Sequence, residues 1–211
     1  MLLFALMIAL HVALPLLREL AYVNTAIGVG FVLVLAAAGW LSIERRRRRG
    51  VYLGALGLGL IMLFVLLARP GLEGLRFAWN LYNTGFFFFT TGLVTSWALR
   101  QRRVNTDTVL ASVSGYYLLG IAWAILYAVI DNTVVGAFNQ PLAPEFRLET
   151  AFYFSFVTLT TLGYGDFAPT HPLTHALVTA EALLGQVYVT VLIARLVALH
   201  ITHNPSRREP E

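Results

Sequence analysis

The nine-residue segment 158–166 has the residue types and spacing in this chain that could do chemistry. It reads Thr-Leu-Thr-Thr-Leu-Gly-Tyr-Gly-Asp, so glycines stand at the alternate positions 163 and 165. Consecutive carbonyls of an extended backbone can face one line only where alternate residues adopt dihedral angles that a Cβ atom opposes. Gly163 and Gly165 permit that arrangement. The segment could therefore present a row of neutral oxygens that replaces the hydration shell of an alkali cation.

One chain supplies only one arc of oxygens around an ion. The oxygens would be the carbonyls of Thr161, Leu162, Gly163 and Tyr164, with the Thr161 hydroxyl at the inner end. A complete ring requires several chains around one axis. The residues therefore predict an oligomer, without fixing the number of its subunits.

The motif Thr-Leu-Gly-Tyr-Gly-Asp resembles the selectivity filter of tetrameric potassium channels, whose pattern is Thr-Val-Gly-Tyr-Gly-Asp after a short pore helix. The resemblance covers about residues 107–200 strongly and the remainder by topology alone. It implies a homotetramer, K+ bound at Thr161, Leu162, Gly163 and Tyr164, and no cofactor beyond the permeant ion. The implied filter consists of Thr161, Leu162, Gly163, Tyr164, Gly165 and Asp166.

Residues just before the filter are expected to support it. Glu149 lies in the first turn of the predicted pore helix, where an acidic residue is favoured. Tyr153 and Phe154 stand where voltage-gated relatives carry two tryptophans, and with Tyr164 they would form a cuff around the filter. Thr160 is a further supporting residue. Plain core packing is the alternative role for the aromatic residues.

Two residues of the last apolar stretch could act on the filter or on gating. Gly185 lies nineteen residues after Asp166, at the position of the gating-hinge glycine in the resembled family. A glycine that allows close helix packing is the alternative. Glu181 occupies a costly place for a carboxylate inside a membrane. We expect it to hydrogen-bond behind the filter to a threonine or serine of the pore helix.

The composition excludes an ordinary soluble globule. Of 211 residues, 58% are hydrophobic and 12% are charged, against about 25% charged in a typical soluble domain. The chain has no cysteine, which excludes disulfides and thiol catalysis. Its positive charge, +4 net, is better explained by membrane topology than by nucleic acid, which we do not expect as a partner.

Uncharged stretches long enough to cross a bilayer set the predicted fold. Five of them span residues 1–17, 20–43, 50–68, 77–99 and 108–130, and a sixth, 172–199, is interrupted by Glu181 and Arg195. The stretch 150–165 is too short to cross. The sequence thus predicts an all-α membrane protein with six transmembrane helices and a re-entrant pore helix and filter between helices five and six. A cleaved signal peptide is the alternative for the first stretch.

Arginines mark the predicted cytoplasmic side. Ten of the fifteen follow the second, fourth and sixth spans, and Arg195 lies near the end of the sixth. Both termini are therefore expected in the cytoplasm, in a bacterial plasma membrane. A run expected in a loop after the second span would serve as a topology anchor, or else bind anionic lipid; it comprises Arg45, Arg46, Arg47, Arg48 and Arg49.

The predicted domains are a four-helix peripheral domain, residues 1–103, a pore domain, 104–200, and a short cytoplasmic tail, 201–211. The fourth span, 77–99, contains no arginine, whereas a voltage sensor carries arginine at every third position there. The peripheral domain is therefore expected to resemble a voltage sensor without sensing voltage. Steep voltage activation is not expected.

Three other functions remain as alternatives. A potassium transporter subunit could carry a filter-like loop, although such resembled proteins usually have four imperfect repeats and this chain has one. A non-conducting accessory subunit would keep the spans but would not need the filter. An intramembrane serine enzyme could use Ser114, but Ser112 replaces the first glycine of that motif, and we do not expect an enzyme.

Overall fold

The computed structural model describes residues 46–69, 71–101, 105–142 and 147–203, and a few isolated positions at 5, 8, 34–36, 38–40 and 43. From residue 46 onward the described residues form five helices: α1 (Arg46–Ala68), α2 (Glu73–Arg100), α3 (Thr106–Thr133), α4 (Arg147–Leu159) and α5 (Pro172–His203). An isolated antiparallel bridge joins Phe138 to Pro169. The described part of the chain is therefore all-helical.

Three of the described helices are long and apolar enough to cross a membrane. The qualifying segments are Arg49–Ala68, Thr106–Thr133 and Pro172–Arg195. They support the prediction of an all-α integral membrane protein. The fourth predicted span, 77–99, lies in α2, which is not among these three helices. The first two, 1–17 and 20–43, lie almost entirely outside the described residues, so the count of six spans stays a prediction.

Four residues of the arginine run, 46–49, belong to a helix and not to a loop, which corrects the expectation from sequence. Helix α1 begins at Arg46, while Arg45 lies outside the described residues. The Arg49 guanidinium lies over the Trp40 ring, 4.8 Å from its centroid, and its Nε donates to the carbonyl of Ile43. At least Arg49 thus packs on its own chain through cation–π contact.

Helix α3 is the central helix of the described part and packs along α2 and α4. Its start is capped by Asn105, whose side chain accepts a hydrogen bond of 2.8 Å from the Thr108 amide. Large apolar residues such as Leu118 and Ile121 are buried along its length. Because α3 is apolar on all faces, it suits the interior of a helical membrane protein.

Helix α5 runs antiparallel to α3. Near one end, the Tyr188 hydroxyl donates to the Ser112 carbonyl at 2.7 Å. Near the other end, the Tyr127 hydroxyl donates to Glu181 at 2.6 Å. The short helix α4 packs against both, and α3 and α5 thus form the frame that holds it.

The far end of α5 is tied to the end of α2. The Arg195 guanidinium donates to the carbonyl of Gln101, the residue that follows α2, at 3.0 Å. The contact places the last turns of α2 and α5 at the same end of the molecule. This agrees with the arginine pattern, which assigns Arg100 and Arg195 to one side of the membrane.

Candidate ion-conduction site

Helix α4 ends in a fully hydrogen-bonded turn that leads directly into the predicted filter. A helix leaves its last four carbonyls without helical partners, yet here all four accept. The Phe156 carbonyl accepts from the Thr160 amide at 3.0 Å, and the Val157 carbonyl accepts from the Leu162 amide at 2.9 Å. The Thr158 carbonyl accepts from the Thr161 amide at 2.9 Å, and the Leu159 carbonyl accepts from the Tyr116 hydroxyl at 2.9 Å. The junction between helix and filter is therefore fixed by hydrogen bonds.

The backbone of the predicted filter alternates between two conformations. The φ angles of Thr161, Gly163 and Gly165 are +61°, +56° and +77°. The glycines were expected to adopt such angles, but Thr161 was not, because a β-branched residue with positive φ is an outlier. Thr161 extends the alternation by one residue toward α4, and glycine content alone could not have indicated this.

Hydrogen bonds to α4 set the direction of two filter carbonyls. The amides of Leu162 and Gly163 both point at the Val157 carbonyl, at 2.9 and 3.3 Å. In a planar trans peptide the carbonyl of the preceding residue points the opposite way. The carbonyls of Thr161 and Leu162 therefore point away from α4.

The predicted filter lies at the surface of the single chain. Every residue from Thr160 to Asp166 is exposed in the single chain, and the exposed fractions of Leu162 and Tyr164 are 55% and 66%. A large apolar residue and a tyrosine at this exposure leave an uncovered surface. The surface of this segment is thus available for contact with another molecule.

Tyr153 contacts the outer end of the segment. Its hydroxyl donates to the Asp166 carboxylate at 2.8 Å, and its ring stacks on Tyr164 with centroids 6.3 Å apart. The hydrogen bond to Asp166 raises the pKa of Tyr153 above its usual value. The hydroxyl therefore keeps its proton at neutral pH, and the bond is lost only as the pH rises through that raised pKa.

We expect Tyr153→Phe to weaken the outer end of the filter, because the variant keeps the stacked ring and loses the hydrogen bond. Potassium flux into vesicles should decay faster during sustained conduction than in the wild type. Tyr153→Trp, which restores an N–H donor, is the matched control and should slow the decay again. Equal decay in Tyr153→Phe and the wild type would contradict this role.

Phe154 does not join the cuff expected from sequence. It is buried and packs on the rings of Tyr127, Phe138 and Phe167, with centroid distances of 5.1, 5.3 and 5.1 Å. These edge-on contacts link α3, the 134–142 loop and the chain after the filter. Phe154 thus packs behind the predicted filter through Phe167, and of the two residues only Tyr153 stacks on Tyr164.

Asn139 fastens the outer loop to the end of the filter, a role the sequence did not indicate. Its side chain donates to the Asp166 carbonyl at 3.2 Å and accepts from the Ala168 amide at 3.0 Å. Its own amide donates to the Ala168 carbonyl at 2.9 Å. An asparagine in a loop is common as a turn residue, so no sequence signal distinguished this one.

Helix α5 reaches the first residue of the predicted filter. A Cβ atom on Gly185 would lie 2.5 Å from the Leu159 carbonyl oxygen, so the two backbones meet there. The next residue, Gln186, lies 3.4 Å from the Thr161 hydroxyl through its amide nitrogen. The helix is uninterrupted at Gly185, and in this conformation the glycine serves close packing. Its role as a gating hinge stays a prediction.

Glu181 lies behind α4, one helical turn from Gly185. It is fully buried, and one carboxyl oxygen lies 2.5 Å from the hydroxyl of Ser155 on α4. Its partner is thus a serine of the helix that precedes the predicted filter. Across the described residues, no cluster of three or more histidine, cysteine, aspartate or glutamate side chains could hold a metal ion.

Known proteins resemble the part of the chain that contains this site. Residues 116–201 match the family model described as "Ion channel". This part of the chain thus resembles the ion-channel family. The family is not one of enzymes, and the hydroxyl of Ser114, considered above as a nucleophile, donates to the Leu110 carbonyl at 2.7 Å within its own helix.

Two relatives of this segment are potassium channels. The inward rectifier potassium channel Kirbac3.1 of Paramagnetospirillum magnetotacticum is 33% identical over 100 residues, 45% of this chain and 30% of the relative. The two pore potassium channel c of Oryza sativa subsp. japonica is 28% identical over 82 residues, 39% of this chain and 18% of the relative. The resemblance to the potassium channel family is thereby confirmed.

Protein LctB of Geobacillus stearothermophilus is 27% identical over 112 residues, 51% of this chain and 83% of the relative. The chain thus spans less than a third of the length of the two potassium channels and most of the length of LctB. No solved structure matches significantly.

Proposed function

We propose that the protein conducts K+ passively through a homotetrameric pore with residues 161–166 as its selectivity filter. The ion would bind the carbonyls of Thr161, Leu162, Gly163 and Tyr164. The observation that carries this proposal is the alternation of positive φ at positions 161, 163 and 165. That alternation is what a row of carbonyls aimed at one axis requires, and weak neutral oxygens suit a dehydrated K+ ion.

The exposed surfaces of the single chain support an assembly of several subunits around the filter. The segment is exposed in the single chain, and so are large apolar residues of α5 such as Leu183 and Val187. Neighbouring subunits would cover these surfaces and complete each ring of oxygens. Tetrameric assembly is the number implied by the potassium channel resemblance.

The end of α4 would favour a cation near the filter. The carbonyl end of a helix carries a partial negative charge of about half an elementary charge. Helix α4 has 13 residues, about 20 Å of helix, which is too short to span a bilayer. We propose that it enters the membrane and turns back at Thr160, so that its carbonyl end lies inside the bilayer.

The remaining chain would form a peripheral domain of residues 1–103 that does not sense voltage, beside a pore domain of residues 104–200. Helix α2 carries Arg76 and Arg100 near its ends and no arginine between them. It therefore lacks charges that the membrane potential could move. We propose six spans, cytoplasmic termini and activation that depends weakly on voltage.

Reconstituted wild-type protein tests the proposed function. In vesicles, K+ uptake should exceed Na+ uptake at least tenfold, and barium should block it. The mass of the purified particle in detergent, corrected for bound detergent, should correspond to four chains. Equal K+ and Na+ uptake, or a monomeric particle that conducts, would refute the proposal.

The same assay distinguishes a passive channel from a transporter subunit and from an accessory subunit. A passive channel dissipates a K+ gradient without another energy source, so a requirement for a coupling ion or nucleotide would indicate a transporter. Assembly into tetramers without any flux would indicate an accessory subunit. Steep sigmoidal activation in voltage steps would contradict the non-sensing peripheral domain.

A further inference from the structure

Glu181 joins three helices at one buried point behind the filter. It lies on α5 and is 0% exposed. One carboxyl oxygen accepts from the Tyr127 hydroxyl of α3 at 2.6 Å. The other lies 2.5 Å from the Ser155 hydroxyl of α4. The Ser155 oxygen in turn lies 2.8 Å from the Gly120 carbonyl of α3.

The number of protons in this network fixes the state of the carboxyl group. Three oxygen–oxygen contacts of 2.8 Å or less each require one hydrogen between the two oxygens. The Tyr127 hydroxyl supplies one and the Ser155 hydroxyl supplies one. The Gly120 carbonyl has none to give. The third hydrogen must come from Glu181, which then donates to Ser155 while Ser155 donates to Gly120.

The charges around the network agree with this count. The ion pairs found among the described residues, Arg76 with Glu73 and Arg147 with Asp131, do not include Glu181. An ionised carboxylate buried without a cation costs several kcal/mol, and such groups are usually neutral instead. A neutral carboxyl group needs only the hydroxyl and carbonyl partners that are present.

The same helices meet again one turn further along. Glu181 contacts Ser155, and four residues later on each helix Gly185 packs on the Leu159 carbonyl. Residues four apart lie on the same face of a helix. The two contacts therefore fix both the rotation and the height of α4 relative to α5, directly beneath the point where the filter begins.

We infer that Glu181 is held as a neutral carboxylic acid that donates to Ser155 and so positions the pore helix α4 under the filter. It is a positioning residue, because it contacts neither the ion nor the residues 161–166. The inference rests on the proposed function for its effect on selectivity. Its effect on protonation stands independently of conduction.

Infrared spectroscopy tests the protonation. The difference spectrum between the wild type and Glu181→Gln in detergent at neutral pH should contain the carbonyl band of a neutral carboxylic acid. A carboxylate band in its place would overturn the inference. Because this measurement does not depend on flux, its outcome is separate from that of the proposed function.

Three variants test the positioning. A glutamine side chain can accept from Tyr127 and donate to Ser155 as a neutral carboxyl does, so Glu181→Gln should keep the K+ over Na+ uptake ratio within about twofold. Glu181→Leu has similar size and no polar atom, and should lower the ratio at least about tenfold through loss of two buried hydrogen bonds. A ratio in Glu181→Leu equal to that of the wild type would overturn the positioning role.

A milder variant keeps the test decisive if Glu181→Leu does not assemble. Ser155→Ala removes one hydroxyl at the centre of the network and leaves the packing of α4 nearly unchanged. It should lower the uptake ratio about threefold or more, and Thr179→Ala, which removes an exposed hydroxyl of α5 bonded within its own helix, should not. Equal ratios in Ser155→Ala and Thr179→Ala would count against the inference.

Discussion

Gly163→Ala is expected to abolish K+ flux while the chain still assembles. The φ angle of Gly163 is +56°, and a residue with a Cβ atom pays about 1–2 kcal/mol there. In a ring of subunits every copy carries this cost. Relief requires the peptide to leave its conformation, which would turn a carbonyl away from the ion path. Vesicle uptake of K+, together with particle size in detergent, measures both parts of the prediction.

Gly136 offers a matched control for that substitution. Its φ angle is +70°, and as at Gly163 nothing lies within 4 Å of an added Cβ atom. Gly136→Ala therefore imposes the same kind of backbone strain in the outer loop instead of the filter. Flux should persist in Gly136→Ala and disappear in Gly163→Ala. Comparable K+ uptake in the two variants would mean that residues 161–166 do not form the conduction path.

Gly185→Ala is expected to destabilise the assembled protein strongly. The added Cβ atom would lie 2.5 Å from the Leu159 carbonyl oxygen, which is backbone and cannot rotate away as a side chain would. Overpacking of this kind costs about 1–3 kcal/mol in each subunit. We expect a lower temperature for dissociation and unfolding in detergent, and reduced flux because the end of α4 must shift.

The control for this variant is Gly92→Ala in α2, where nothing lies within 4 Å of the added Cβ atom. Alanine favours a helix over glycine by about 1 kcal/mol, so this variant should be as stable as the wild type or more so. The same comparison separates two roles of Gly185. If Gly185→Ala kept full thermal stability and altered only channel opening, the glycine would be a hinge and not a packing contact.

The sequence could predict those features of the site that depend on local residue patterns. The alternate glycines, the helix before them and the carboxylate of Glu181 behind that helix follow from spacing and from the cost of a charge in a membrane. A general rule about residue types could thus place Glu181 near a pore-helix hydroxyl. It could not name Ser155 or Tyr127, because these meet Glu181 from other helices.

The remaining features depend on tertiary contacts. The positive φ of Thr161 runs against the preference of a β-branched residue, and Asn139 lies 27 residues from the carbonyl it binds. Phe154 packs toward α3 and not toward Tyr164, and the sequence of α4 alone does not indicate which face of that helix packs on α3. The helical start at Arg46 was not predicted, because the arginine run was assigned to the loop after the second span.

The hydrogen bond between Arg195 and the Gln101 carbonyl connects the end of α2 to the C-terminal part of α5. A helix without mobile charge cannot do electrical work, but it can still be pulled or tilted when the bilayer is stretched or thinned. Displacement of the end of α2 would then also move the C-terminal part of α5, because Arg195 connects the two.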